Sequence, residues 1–136
     1  MVERETEHTD RIRVLLVDDE QEYVNILAKR MIRRDIDVAK AYSGSEAIQV
    51  LRKADFDVAV LDLKMEDMDG IEVLKVFKKM DPHMAVIMLT GHGSETAAKD
   101  GMQLGASDYL TKPIDLDDLI DKIKEAYYEK NWKGPS

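Results

Sequence analysis

The sequence predicts a three-layer α/β/α domain in which a five-stranded parallel sheet carries helices on both faces. Uninterrupted apolar runs such as 58–61 (VAVL) and 84–89 (MAVIML) are typical of strands that are buried on both faces. These runs alternate along the chain with segments whose apolar residues recur at the period of a helix. Such alternation indicates parallel strands joined by right-handed crossovers, and a length of 136 residues fits one domain.

The amino-terminal half contains three predicted strands and two predicted helices. The strands are 12–17, 37–42 and 58–62. The first helix has an apolar stripe spaced i, i+3, i+4 and i+7, formed by Val24, Leu27, Ala28 and Met31. Ser43 and Glu46 form a capping box that opens the second helix, whose inner face is predicted to carry Ala47, Val50 and Leu51.

The carboxyl-terminal half contains three helices and two further strands, 84–89 and 107–111. Helix starts are predicted at the N-cap residues Asp69, Ser94 and Asp115. The fourth helix is weak, and Gly105 is predicted to end it as the C′ residue. The apolar residues of the three helices are, in order, Ile71, Leu74 and Phe77; Ala97, Ala98, Met102 and Leu104; and Leu116, Leu119, Ile120, Ile123 and Tyr127.

The flanks of the domain lack periodicity. Residues 1–11 are highly charged and predict a flexible arm, and residues 130–136, including Trp132, predict an unstructured tail. The folded domain is therefore predicted to cover residues 12–129. With five strands and five helices, the pattern is compatible with the strand order 2-1-3-4-5 of flavodoxin-like folds.

Composition narrows the classes of function. A net charge of −8 argues against direct binding of nucleic acid, because neutralising phosphates requires Lys and Arg. The sequence has no cysteine, which excludes disulfides and thiolate chemistry. No apolar stretch approaches the roughly 20 residues that span a bilayer, and no signal-type segment precedes the domain. The expectation is a cytoplasmic protein without a membrane partner.

Polar residues follow four of the predicted strands. They are Asp18 and Asp19 after the first, Asp62 at the end of the third, Thr90 after the fourth and Lys112 after the fifth. In a parallel sheet these positions share the carboxyl edge, where open α/β sheets bind ligands. Three carboxylates in one cleft repel each other, and a hard divalent cation such as Mg²⁺ relieves that repulsion. The pattern therefore indicates a metal site suited to phosphoryl chemistry.

The ordered set of motifs resembles the response regulator receiver domain over about residues 12–129. The matching features are the Asp18-Asp19 pair, Asp62 with Asp69-Gly70 beyond it, Leu-Thr-Gly at 89–91, and Asp-Tyr-Leu-Thr-Lys-Pro at 108–113. The resemblance implies a phosphorylation-dependent switch of a two-component phosphorelay. It also implies that the domain is not an enzyme beyond accepting a phosphoryl group and losing it again.

The resemblance further implies a role for each matched residue. Asp62 would be the phosphoacceptor, and Thr90 and Lys112 would bind the phosphoryl group. Mg²⁺ would be held by Asp19, Asp62 and the backbone carbonyl of Lys64, with Asp18 in the outer coordination shell. Tyr109 would be the aromatic switch, and Lys112–Pro113 would be a cis peptide.

The resemblance also implies partners. A sensor histidine kinase or a phosphotransfer protein would supply the phosphoryl group, and a homodimer would form through the face of the fourth helix, fifth strand and fifth helix. The output is not written in the sequence. The chain corresponds either to a stand-alone receiver or to the receiver of a longer regulator.

Two positions depart from the usual family pattern. Glu66 stands where family members usually have Pro, which affects the rigidity of the loop more than the chemistry. Lys64 lies at a variable position near the phosphoryl group, and together with His92 it is expected to affect the lifetime of the phosphorylated state. His8 and His83 share no spacing with His92 that suggests a metal site and are expected to be exposed.

Several alternatives remain open from the residues alone. Asp18 and Asp19 could cap the first helix, and Tyr109 could be a partly buried strand aromatic. A phosphatase or phosphotransferase of the haloacid-dehalogenase kind also uses an aspartate after a strand, but it resembles Asp-x-Asp, and here position 64 is Lys. A flavodoxin-like FMN carrier would have a phosphate loop rich in Ser, Thr and Gly where this chain has Asp18-Asp19-Glu20.

Overall fold

The computed structural model describes residues 11–132, in which five strands alternate with five helices. The strands are β1 Arg13–Val17, β2 Asp37–Ala41, β3 Val58–Asp62, β4 Ala85–Thr90 and β5 Asp108–Thr111. The helices are α1 Gln21–Ile32, α2 Gly44–Lys53, α3 Gly70–Met80, α4 Glu95–Gln103 and α5 Leu116–Asn131. All neighbouring strands are parallel and follow the order β2-β1-β3-β4-β5, which confirms the predicted fold class.

Side chains of the central strands alternate between two apolar layers. Val14 and Leu16 of β1 face α1 and α5, whereas Leu15 and Val17 face α2 and α3. Strands β3 and β4 divide in the same way, and every residue of both strands is buried. Burial of both faces explains why these strands read as continuous apolar runs in the sequence rather than as alternating ones.

Side-chain caps fix the starts of three helices as predicted. The Ser43 hydroxyl accepts a hydrogen bond from the backbone N–H of Glu46 in α2. The Asp69 carboxylate accepts from Ile71 at the start of α3, and Asp115 caps α5 in the same manner. The prediction for Ser94 is wrong in part: it occupies the N-cap position of α4, but its side chain forms no cap bond because its backbone is not extended there.

Helix α4 ends in a Schellman motif at Gly105, whose φ of +108° favours glycine. The N–H of Ala106 donates to the carbonyl of Gly101, and the N–H of Gly105 donates to Met102. Gly101 is buried against the Met88 side chain of β4, and a Cβ there would collide with the Met88 sulfur. Glycine at this position therefore lets α4 lie close to the sheet, a contact that the apolar pattern of α4 does not reveal.

Helix α5 ends at Asn131, two residues beyond the predicted domain end at residue 129. The prediction of an unstructured tail is wrong for Lys130 and Asn131: the Lys130 ammonium anchors the last turn by donating to the backbone carbonyl of Asp57 at 3.2 Å. Most of the predicted arm (residues 1–10) and the end of the tail (residues 133–136) lie outside the described residues. Within residues 11–132, no helix has the length and apolar character needed to cross a membrane.

Candidate functional site

Three aspartates meet at the carboxyl edge of the sheet because β1 and β3 are neighbouring parallel strands. Val17 pairs with Leu61, so that Asp18 follows β1 at the level where Asp62 ends β3. One carboxylate oxygen from each of Asp18, Asp19 and Asp62 lies within 4.8 Å of the others. Asp18 and Asp62 are buried, whereas Asp19 is partly exposed.

Neither Asp18 nor Asp19 serves as the cap of α1. Glu20 occupies the N-cap position, and its side chain makes no cap bond. The Asp18 carboxylate accepts from the N–H of Glu20 at 3.0 Å, and Asp19 accepts from the loop after β3. The structure thus contradicts the alternative reading of the pair as simple helix caps.

The environment of Asp62 disfavours its ionised form in the metal-free protein. Burial, together with the negative charge of Asp18, raises the pKa of Asp62 from 3.8 to about 6. The ammonium of Lys112 and the N–H of Lys64, which donates to Asp62 at 3.3 Å, oppose this rise. A carboxylate held in this state gains from any added positive charge, which is the electrostatic condition for a cation site.

Lys112 supplies positive charge to the cluster from the end of β5. Its ammonium lies 2.8 Å from the Asp18 carboxylate and 3.8 Å from that of Asp62. Although burial favours the neutral amine, the hydrogen bond to Asp18 and the charge of Asp62 raise the pKa of Lys112, which keeps it protonated. The Lys112–Pro113 peptide is cis, which confirms that expectation.

Two further residues contact Lys112, and the motif reading did not assign them. The Glu20 carboxylate lies 4.0 Å from the ammonium, and the Tyr23 ring centroid lies 5.0 Å from it, a cation–π distance. Tyr23 is half-buried, and this burial raises its pKa, with Lys112 acting in the opposite direction. The sequence feature that could have identified Tyr23 is its position next to Val24, at the edge of the buried stripe of α1.

Thr90 and Tyr109 lie together on the other side of the cleft, toward α4. Thr90 is buried, and its hydroxyl donates to the backbone carbonyl of Leu110 at 3.3 Å rather than to the acidic cluster. Tyr109 lies in β5 and is 46% exposed. Both residues line a cavity of about 340 Å³ between α4 and β5, along with Ala98, Lys99, Met102 and Thr111.

The loop from Lys64 to Gly70 is held by hydrogen bonds. The N–H of Glu66 donates to the Asp19 carboxylate at 3.0 Å, and Lys64 forms an antiparallel bridge with Asp69. The Lys64 side chain points into solvent, and His92 is exposed beyond β4, as is His83 after α3. The loop thus contributes backbone groups, rather than side chains, to the acidic rim.

The donor set fits a hard divalent cation. The oxygens of Asp18, Asp19 and Asp62 are the ligand type that Mg²⁺ prefers, and Mg²⁺ is typically bound by only one or two carboxylates plus waters. No histidine or cysteine among residues 11–132 joins this cluster, which argues against a softer metal. The acidic pocket can therefore hold a metal ion.

Comparisons with known proteins agree with this geometry. The family described as "Response regulator receiver domain" matches residues 14–124. The chain is 38% identical over 113 residues to the transcriptional regulatory protein GlrR of Escherichia coli, a match that covers 83% of this chain and 26% of GlrR. It is 36% identical over 117 residues to the transcriptional regulatory protein ZraR of the same organism, covering 86% of this chain and 26% of ZraR.

A solved structure is also closely similar. The CheY-like receiver domain protein from Methanospirillum hungatei superposes with a TM-score of 0.87 at 30% identity, and the match covers 92% of this chain and all of that one. The chain spans about a quarter of the length of GlrR and ZraR. On its sequence match, its strand order and its acidic cleft, this chain belongs to the response regulator receiver domain family.

Proposed function

We propose that this domain is a phosphorylation-controlled switch in which Asp62 accepts a phosphoryl group. The observation that carries the proposal is the position of Asp62, buried at the sheet edge, with Lys112 at 3.8 Å and with Asp18 and Asp19 at the same cleft. Receivers of this family are signalling switches of two-component systems. The donor would be a phosphohistidine on a sensor histidine kinase or a phosphotransfer protein.

We assign the metal site to Asp19, Asp62 and the backbone carbonyl of Lys64, with Asp18 in the outer shell, and the ion to Mg²⁺. Bound there, Mg²⁺ would neutralise negative charge on the phosphoryl oxygens. Asp18 is already paired with Lys112 at 2.8 Å, which supports its outer role. Asp19 is the more exposed of the two and has one oxygen bonded to the loop, leaving its other oxygen for the cation.

In the transfer step, a carboxylate oxygen of Asp62 attacks the phosphorus atom. A P–O bond forms, the P–N bond to the donor imidazole breaks, and the imidazole leaves with the bonding electron pair and takes up a proton. Lys112 is near enough to Asp62 to contact the transferred group through its ammonium. Water later cleaves the acyl phosphate, which returns the Asp62 carboxylate and inorganic phosphate.

The added charge, about −1.5 to −2 by analogy with other phosphorylated residues, would be read out through Thr90 and Tyr109. The Thr90 hydroxyl now donates to Leu110, and a phosphoryl oxygen on Asp62 offers it a stronger, charged acceptor. Movement of Thr90 changes one wall of the 340 Å³ cavity that Tyr109 also lines. Tyr109 could then leave solvent for that cavity, altering the face formed by α4, β5 and α5.

We propose that this face also contains the contact for a downstream effector, an output domain or a second copy of the chain. It carries the exposed apolar residues Met102, Leu104 and Tyr109, which are 39%, 41% and 46% exposed. The proposed functional unit is residues 12–129, with its last helix continuing to Asn131. We place its action in the cytoplasm, without direct contact to nucleic acid or membrane.

The test is adduct formation with beryllofluoride and phosphorylation by acetyl phosphate, each with and without Mg²⁺. Wild type is expected to gain the mass of one phosphoryl group and to show amide chemical-shift changes at Thr90 and Tyr109. The Asp62→Asn variant should show neither response, and Thr90→Ala should be modified without the shift at Tyr109. Wild-type protein that fails to react in the presence of Mg²⁺ would overturn the proposal.

The same samples test the alternative functions. We propose no enzymatic activity beyond acceptance and loss of the phosphoryl group, because Lys64 stands where a haloacid-dehalogenase enzyme would have its acid. Sustained release of phosphate from p-nitrophenyl phosphate would contradict this. Yellow protein with flavin absorbance would support an FMN carrier, against which stands the acidic Asp18-Asp19-Glu20 turn after β1.

A further inference from the structure

A carboxylate outside the acidic cleft ties the loop after β3 to helix α2. Asp67 accepts hydrogen bonds from the backbone N–H groups of Gly44 at 3.0 Å and Ser45 at 3.1 Å. The Ser45 hydroxyl donates a third bond to Asp67, at 3.1 Å. We call these three bonds the loop clamp. They join residues separated by 22 and 23 positions in the chain, so they are tertiary contacts rather than local turn chemistry.

The clamp uses donors that a helix cannot satisfy by itself. Gly44 and Ser45 are the first two residues of α2, and N–H groups of the first turn have no acceptor within the helix. A negative charge at this end is further stabilised by the helix dipole. Although burial acts in the opposite direction, the bonds from Gly44 and Ser45 lower the pKa of Asp67, so it is ionised at neutral pH.

The loop and α2 are in close van der Waals contact next to the clamp. A Cβ at Gly44 would lie 2.8 Å from the Val73 side chain of α3 and 3.1 Å from Met68 in the loop. At the other end of the loop, a Cβ at Gly70 would lie 2.5 Å from the Leu63 backbone. The loop is therefore closely packed on the carboxyl-terminal side of Asp67, at Met68 against α2 and at Gly70 against the Leu63 backbone.

Those preceding residues belong to the acidic rim. Glu66 is adjacent to Asp67, and its N–H donates to the Asp19 carboxylate at 3.0 Å. Lys64, whose carbonyl is the proposed metal ligand, forms the bridge with Asp69 on the far side of the clamp. Asp67 thus anchors a short segment whose N–H groups at Lys64 and Glu66 donate to the cleft carboxylates, although Asp67 itself is bonded to α2.

We propose that Asp67 is a positioning residue for the metal and phosphoryl site. Through the loop clamp it holds the Lys64 carbonyl and the Glu66 N–H in place at the cleft before the ion and the phosphoryl group arrive. This inference rests on the proposed function, which it extends by a residue that touches neither ion nor substrate. Groups that orient metal ligands commonly change metal affinity by about tenfold or more when removed.

The experiment compares Asp67→Ala with Ser43→Ala as its matched control. Each substitution removes side-chain acceptors from the first turn of α2, but the Ser43 bond to Glu46 does not involve the loop. Mg²⁺ affinity of the unphosphorylated protein is measured by titration calorimetry, and stability by urea denaturation in EDTA. Asp67→Ala is expected to weaken Mg²⁺ binding about tenfold, and Ser43→Ala less than about twofold.

Asp67→Asn keeps one acceptor oxygen but loses the charge, and it should bind Mg²⁺ with an affinity between wild type and Asp67→Ala. If Asp67→Ala does not fold, Asp67→Asn and Ser45→Ala provide the same comparison with parts of the clamp removed. Equal Mg²⁺ affinities for the clamp variants and Ser43→Ala would overturn the inference. Wild type that binds no Mg²⁺ would instead overturn the proposed function, so the two failures are distinguishable.

Discussion

The backbone N–H of Glu66 donates a 3.0 Å hydrogen bond to Oδ2 of Asp19, which joins the loop after β3 to the acidic rim after β1. Glu66 stands where family members usually have proline, and this bond restrains the loop at that position. Proline has no N–H and would stiffen the loop covalently, whereas this chain ties the same loop through a charged acceptor. In this chain the loop is therefore held by a hydrogen bond to Asp19 instead of by a proline ring.

Replacing Glu66 with proline should therefore destabilise the metal-free protein. The substitution removes a hydrogen bond to a charged acceptor but stiffens the unfolded chain, and the balance is a loss of about 1 kcal/mol. Glu66→Ala retains the N–H and should differ from wild type by less than about 0.5 kcal/mol. Urea denaturation in EDTA measures both, and a Glu66→Pro protein at least as stable as Glu66→Ala would contradict the expectation.

Removing the ammonium of Lys112 should have a larger effect, because it leaves the fully buried Asp18 without its countercharge. Lys112→Met is expected to lower the free energy of unfolding by about 3 kcal/mol in EDTA, with partial recovery in Mg²⁺. Lys122→Met is the control, since its 2.7 Å pair with Asp108 lies at the protein surface, where water and salt screen the two charges, so its loss should have a smaller effect. Equal losses for the two variants would refute the role of Lys112 in charge compensation.

Asp62 should make the stability of the metal-free protein depend on pH. Its pKa is about 6 when folded, against 3.8 as the ordinary value, so between these values the folded state binds more protons than the unfolded state. Stability therefore falls as pH rises from about 4 to about 6 and then levels off. Two pKa units correspond to about 3 kcal/mol at most.

The Asp62→Asn variant isolates this effect, because it cannot ionise at position 62. In EDTA it should be more stable than wild type by about 2 kcal/mol at pH 7 and nearly equal to it below pH 4. Saturating Mg²⁺ should reduce the difference at pH 7. Urea denaturation across the pH range provides the measurement, and a difference that does not vary with pH would show that Asp62 is not desolvated as described.

Gly70 should tolerate no side chain. A Cβ there would lie 2.5 Å from Leu63 Cα and 2.9 Å from the Asp62 carbonyl, and backbone atoms cannot move aside as a flexible side chain does. Gly70→Ala is expected to lower the free energy of unfolding by about 3 kcal/mol. Gly91→Ala meets nothing within 4 Å and should remain within about 0.5 kcal/mol of wild type, so comparable melting temperatures for the two variants would be the contrary result.

The sequence predicted the structure correctly where the pattern of residue types directly reflects burial or a local hydrogen bond. Doubly buried strands such as β3 and β4 appear as apolar runs, and the stripe of α1 gave all four of its buried residues. Caps at Ser43, Asp69 and Asp115 were predictable because the interaction is local. The missing cap bond of Ser94 was not predictable, because it depends on the backbone angles at that residue. The end of α5 was not predictable either, because it depends on the contact of Lys130 with Asp57, far away in the chain.

The set of residues at the cleft followed from sequence, since parallel strands in this order must bring their carboxyl ends to one edge. The sequence by itself thus determined the fold class and the chemistry that converges on Asp62. Only the tertiary structure decided which contacts hold these residues in place. Lys112 pairs with Asp18, and the Tyr23 ring lies beside Lys112. The N–H of Glu66 donates to Asp19, and Asp67 accepts from the first turn of α2. These contacts join residues far apart in the chain, and no local pattern encodes the packing distance between them.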